Sequence, residues 1–122
     1  LMSARYMAAA RLEDGLDMLD ERPETAMMIL TLAVYDMLHY RFLMTNQFRP
    51  RDKDLLDKLV ALDAPLAARA RAFFRASSPQ DAAILAKRIA DDTIETHGFF
   101  EWASSPETIP LDAPSAQDKR PT

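Results

Sequence analysis

Spacing divides the chain into apolar-rich segments separated by short breaks that carry Pro, Ser and Asp. In "SARYMAAARLEDGLDMLDE", Tyr6, Ala9 or Ala10, Leu12, Leu16 and Leu19 recur at helical intervals. This predicts a first helix over about residues 3–20 with Ser3 as its N-cap. Gly15 lies inside that pattern, where it costs about 1 kcal/mol relative to Ala, and marks a place where a neighbour can come close. Pro23 and Glu24 suit the first turn of a second helix, the proline for its missing N–H and the carboxylate for the positive helix end.

The second helix is predicted over residues 23–47. It is apolar almost all round, through Met27, Met28, Ile29, Leu30, Leu32, Val34, Met37, Leu38, Phe42, Leu43 and Met44. Such a helix is expected to be covered on most sides and to form the central element. Phe48-Arg49-Pro50 ends it, because a residue before proline is pushed out of the α region. A third helix follows over 50–62 with Leu55, Leu56, Leu59 and Val60 inward. Asp63 then caps a further piece reaching about residue 76, with Pro65 in its first turn and Leu66, Ala70, Phe73 and Phe74 inward. Ser78, Pro79 and Asp81 start a fifth helix that runs to about Thr96, and at its longest to Trp102. Leu85, Ile89, Thr93 and Phe100 line one of its faces.

After Trp102 the composition turns polar and proline-bearing, so residues 103–122 read as an irregular tail and residues 1–102 as one helical domain. Short links between long helices favour antiparallel neighbours. The expected fold is all-α: an antiparallel up-and-down bundle of four main helices plus a short extra helix.

Composition supports this and narrows the function. The chain has 122 residues, 48% of them hydrophobic, and only two Gly, which fits one globular helical domain. Its net charge of −4 argues against general nucleic-acid binding. The absence of Cys removes disulfides, thiol nucleophiles and Cys-based zinc sites, and fits a cytoplasmic location. No apolar run is long enough to span a membrane. The two histidines, His39 and His97, are too few for a His-rich metal site, and Glu95 and His97 do not have di-iron spacing. No cofactor is expected.

The chemistry is concentrated near the end of the second helix. On a wheel of 100° per residue, Asp36, His39, Leu43 and Asn46 fall within about 80°. Asp36 and His39 are three apart and able to touch, as a ligand-facing or general-base pair or as a self-satisfied buried pair. Arg49, Arg51 and Lys53 gather around the next helix start, where guanidinium and ammonium groups suit a phosphate or carboxylate. Asp52, Asp54 and Asp57 interleave with them and can equally form local salt bridges. The methionines of the second helix read as core filling, with a homodimer face as the other reading, in which Tyr35, Tyr40 and Arg41 act as anchors.

The segments "FLMTNQFRPRDKDLLDKLVAL", "PLAARARAFF" and "SSPQDAAILAKRIADDTIE" resemble the helical domain at the C-terminus of some bacterial nucleotidyltransferases. That group includes the kanamycin-nucleotidyltransferase C-terminal and HEPN-like bundles. Asn46, Pro50, Lys53, Leu55 and Leu56 carry the likeness, which covers about residues 5–100. It implies a non-catalytic module that helps hold a small polar or phosphorylated substrate for a nucleotidyltransferase domain or subunit. The residues presented would be Asp36, His39 and Asn46, with Arg49 and Lys53 near the mouth. The chain has no Gly-Ser followed by an Asp-x-Asp pair, so the catalytic carboxylates of such an enzyme are missing. The HEPN ribonuclease motif, an Arg with a His four to six residues beyond, is also absent, since Arg41 is followed by Asn46. The other expectation is a homodimeric helical interaction protein with no small-molecule site.

Overall fold

The computed structural model describes residues 2–94, with side chains from Ala4 onward. The described part is all-helical, with five α-helices and no strand: α1 (Met2–Asp17), α2 (Pro23–Leu43), α3 (Leu55–Leu62), α4 (Ala64–Phe74) and α5 (Pro79–Thr93). A single 3₁₀ turn, Asp52–Asp54, leads into α3. Ser3 lies inside α1, which already runs from Met2, and so does not cap it. The run of the last helix past Ile94 with Phe100 on its face, and the boundary at residues 102 and 103, lie outside what is described.

Helix starts follow local chemistry. Pro23 opens α2. Asp63 caps α4, its Oδ1 accepting from the Leu66 N–H at 3.1 Å. Ser78 caps α5, its Oγ accepting from the Asp81 N–H at 3.1 Å, with Pro79 in the first position. Each cap satisfies a backbone donor that has no partner within its helix.

The end of α2 differs from expectation. The helix stops at Leu43, ahead of the proline at 50. The Gln47 N–H bonds the Phe42 carbonyl at 3.2 Å and the Asn46 N–H bonds the Leu43 carbonyl at 3.1 Å. Asn46 takes φ = 58°. These bonds and that left-handed residue make a Schellman turn, and Asn is one of the few side chains that enters the left-handed region readily.

Helix α2 packs against α1 and α5, and α4 packs against α3 and α5. The core between them gathers Ala8, Ala9, Leu12, Leu30, Val34, Met37, Leu38, Leu59, Leu66, Phe73 and Ile89. Helices α1 and α2 run antiparallel. Gly15 meets Leu30, Arg11 meets Asp36, and Met7 shares a cleft with Tyr40 and Leu43. A Cβ built on Gly15 would sit 2.8 Å from Leu30 Cδ2 and 3.3 Å from its backbone nitrogen, so the glycine permits close approach of the two helices. At the far end of α1, Arg5 Nε donates to the Ile94 carbonyl at 2.8 Å and ties the start of α1 to the end of α5.

Helix α2 is not wrapped on all sides. Met28 is 59% exposed and Leu32 43%, so an apolar strip of this helix faces outward. Val60 and Phe74, expected to point inward, are also exposed, as is Tyr6. Arg41 Nε donates to Asp63 Oδ2 at 3.0 Å. The same carboxylate therefore caps α4 and holds the end of α2 against the α3–α4 corner.

Candidate functional site

The last turns of α2 carry a polar face. Tyr35, Asp36 and His39 are placed there by the 3.6-residue period, and the chain after the Schellman turn folds back over them. This return brings Arg49 and Asp52 to the level of Tyr35 and His39. Tyr35 donates its hydroxyl to Asp52 Oδ1 at 2.6 Å. Arg49 Nη2 donates to the Tyr35 hydroxyl oxygen at 3.3 Å, with its guanidinium carbon 6.0 Å from the ring centroid. The His39 ring meets the Tyr35 ring edge-on, with centroids 4.4 Å apart.

A cleft of about 330 Å³ opens beside this face, lined by Ala4, Met7 and Arg11 of α1, Asp36, His39, Tyr40 and Leu43 of α2, and Arg49. Asp36 does not pair with His39. Its Oδ2 accepts from Arg11 Nη1 at 2.6 Å, across the α1–α2 seam. Spacing along α2 put Asp36 and His39 on one side, but a partner 25 positions away took the carboxylate.

His39 is left without a hydrogen bond. The residue is only 8% exposed, and neither Nδ1 nor Nε2 has a hydrogen-bond partner. The nearest carboxylate oxygen, Asp52 Oδ1, stands 3.9 Å from Nε2, beyond hydrogen-bond reach. Burial lowers the His39 pKa below its usual value, and the Arg49 guanidinium lowers it further, against the smaller pull of Asp52 and Asp36. The ring is therefore neutral at pH 7, with one nitrogen that donates and one that accepts. A buried side chain with both polar atoms unanswered costs folding free energy unless something else binds it.

The five residues expected to bind substrate do not share one place. Asp36, His39 and Arg49 share the α1–α2 cleft. Asn46 lies instead on a second concavity of about 660 Å³ with Phe42, Gln47, Phe48, Arg49, Pro50, Lys58 and Leu62, and its backbone role in the Schellman turn accounts for its presence. Lys53 is exposed and lines neither hollow. Arg51 pairs with Asp54 at 2.9 Å, which leaves the start of α3 with a local salt bridge. Arg11 is a site residue that the sequence did not single out. It lies on α1, and only the tertiary pairing of the two helices brings it to Asp36.

Among the described residues there is no group of three or more His, Asp or Glu suited to a metal ion, and no helix long and apolar enough to cross a membrane. Compared with models of known families, with curated proteins and with solved structures, the chain matches none at a level that marks a relative.

Proposed function

We propose that this chain is a non-catalytic helical binding module whose α1–α2 cleft receives a small polar or phosphorylated molecule. His39 carries the reading. A ring that is buried, neutral and without a hydrogen bond, on the wall of an open cleft, is a polar group awaiting a ligand. Arg49 beside it supplies a positive charge, and Asp36 with Arg11 frames the other wall. In this reading α1, α2, α4 and α5 are the four main members of an antiparallel bundle and α3 is the short extra helix. The likeness of residues 5–100 to nucleotidyltransferase-associated helical domains suggests the setting: a nucleotidyltransferase subunit or domain performs the transfer, and this module offers it the acceptor.

A thermal-shift screen of small carboxylates, phosphates and polyols tests the cleft. Compounds that raise the melting temperature of the wild type should fail to raise that of the His39→Leu/Arg49→Gln variant. A screen in which no compound acts, or acts equally on both proteins, ends the reading. The purified chain alone should transfer no nucleotide.

The outward strip of α2 favours a second reading, a homodimeric interaction protein, because Met28 and Leu32 are large apolar side chains left open to water. Sedimentation velocity distinguishes it: a dimer dissociated by Met28→Glu with Leu32→Glu supports association through this strip, and a wild-type monomer excludes it.

A further inference from the structure

The cleft contains two guanidiniums, but they are not equally available. Arg11 is committed to Asp36, with its Nη1 2.6 Å from the carboxylate. Arg49 makes no ion pair among the described residues. It touches the Tyr35 hydroxyl oxygen, and the proton of that hydroxyl points to Asp52. The lining charges are Arg11, Arg49 and Asp36, which leave one positive charge. Asp52 stands on the flank, 3.9 Å from the His39 ring, and opposes a second negative charge on any ligand. A singly charged anion matches this arrangement. A phosphate monoester, which carries close to two charges at pH 7, meets two carboxylates with one uncommitted cation.

The rest of the wall restricts the ligand further. His39 offers one donor and one acceptor, but its two nitrogens point too far apart for one group to answer both and neither has accessible surface as the ring stands, so a ligand hydroxyl or amide meets one of them as the ring turns toward the cleft. Ala4, Met7 and Leu43 supply an apolar border. A volume of about 330 Å³ lies at the small end of the range for small-molecule pockets. We infer that the cleft takes a small molecule with one carboxylate, a hydroxyl or amide next to it, and a short apolar tail. The carboxylate lies on the Arg49 fork, the hydroxyl or amide meets the His39 ring, and the tail rests on Met7 and Leu43. This rests on the cleft being a binding site, as proposed above.

Four probes separate the elements: 2-hydroxy-4-methylpentanoate, 4-methylpentanoate (no hydroxyl), 2-hydroxy-4-methylpentanamide (no charge) and 3-methylbutyl phosphate (a dianion). Each is titrated into the full chain at pH 7.5, and the imidazole ¹⁵N resonances are followed, with His39 assigned by its loss in His39→Leu. The hydroxy acid should shift the resonance of at least one His39 nitrogen and bind about tenfold more tightly than the amide or the phosphate. Arg49→Gln, a substitution at an exposed position with no core contact to lose, should erase the difference between acid and amide. Phosphate binding as tight as that of the hydroxy acid, with His39 responding, overturns the single-charge assignment and leaves the cleft as a site. Equal binding of the acids with and without the hydroxyl overturns the His39 contact. Silence of the His39 nitrogens toward all four probes removes both this inference and the cleft reading beneath it.

Discussion

At one end of the α1–α2 seam, Gly15 lies so close to Leu30 that a single added methyl would stand 2.8 Å from Cδ2. At the other end, Arg11 and Asp36 flank about 330 Å³ of open space. The same two helices make both regions. In the closed region the atoms nearest Gly15 all belong to Leu30, which is fully buried. In the open region a buried imidazole has no hydrogen bond and two charged side chains hold each other across the gap. The difference shows where stability and binding reside. Dry packing near Gly15 contributes free energy, and that surplus supports an unsatisfied ring at the cleft.

The comparison breaks most clearly at its closed end. Leu30→Ala removes a fully buried side chain and should destabilise the fold by about 3 kcal/mol, read as a shift in the urea midpoint. Gly15→Ala should cost about 1–2 kcal/mol, although helix propensity alone predicts a gain of about 1. A stabilised Gly15→Ala protein would show that Leu30 can yield and that the seam is not tight there.

At the open end the expected effects are smaller and partly of opposite sign. His39→Leu should raise stability by about 0.5–1 kcal/mol, because it removes two unanswered polar atoms while losing the edge contact with Tyr35. It should also flatten a pH dependence. The folded-state pKa of His39 lies below 6.5, chiefly through burial and then through Arg49, with Asp52 and Asp36 opposing. Between those two pKa values the unfolded chain binds more protons than the folded one. The stability carried by the neutral ring is therefore fully present above pH 6.5 and declines as pH falls below it. Urea titrations of the wild type and His39→Leu at pH 7.5 and 5.5 measure the difference. The smallest effect should come from Asp36→Asn, below about 1 kcal/mol, because the Arg11 pair is partly exposed. That variant releases Arg11, so a gain in affinity for dianions would sharpen the assignment of charge in the cleft.

The sequence disclosed these regions unequally. The starts of α2, α4 and α5 were readable because Pro23, Asp63 and Ser78 act within one turn of their own positions. The close approach at Gly15 was readable as a small residue in a helical pattern, although Leu30 as its partner was not. The end of α2 was misplaced because Pro50 is the stronger local signal, while the actual stop depends on the backbone of Asn46. Periodicity placed Asp36 and His39 on one side of α2. It could not assign Asp36 to Arg11 or bring Arg49 back over Tyr35, since both depend on how distant segments meet. The apolar circumference of α2 overstated its coverage, because spacing records which side chains are apolar and not whether a neighbour reaches them.

The Schellman turn also provides a way to recognise kin. With φ at 58°, position 46 excludes branched side chains, and Ala there should cost about 1 kcal/mol where Gly costs nothing. A descendant that kept this corner would retain Asn or replace it with Gly, even after the surrounding apolar residues had drifted. The corner also sets where Arg49 returns to α2, so a chain that lost it would lose the cation of the cleft along with the bend.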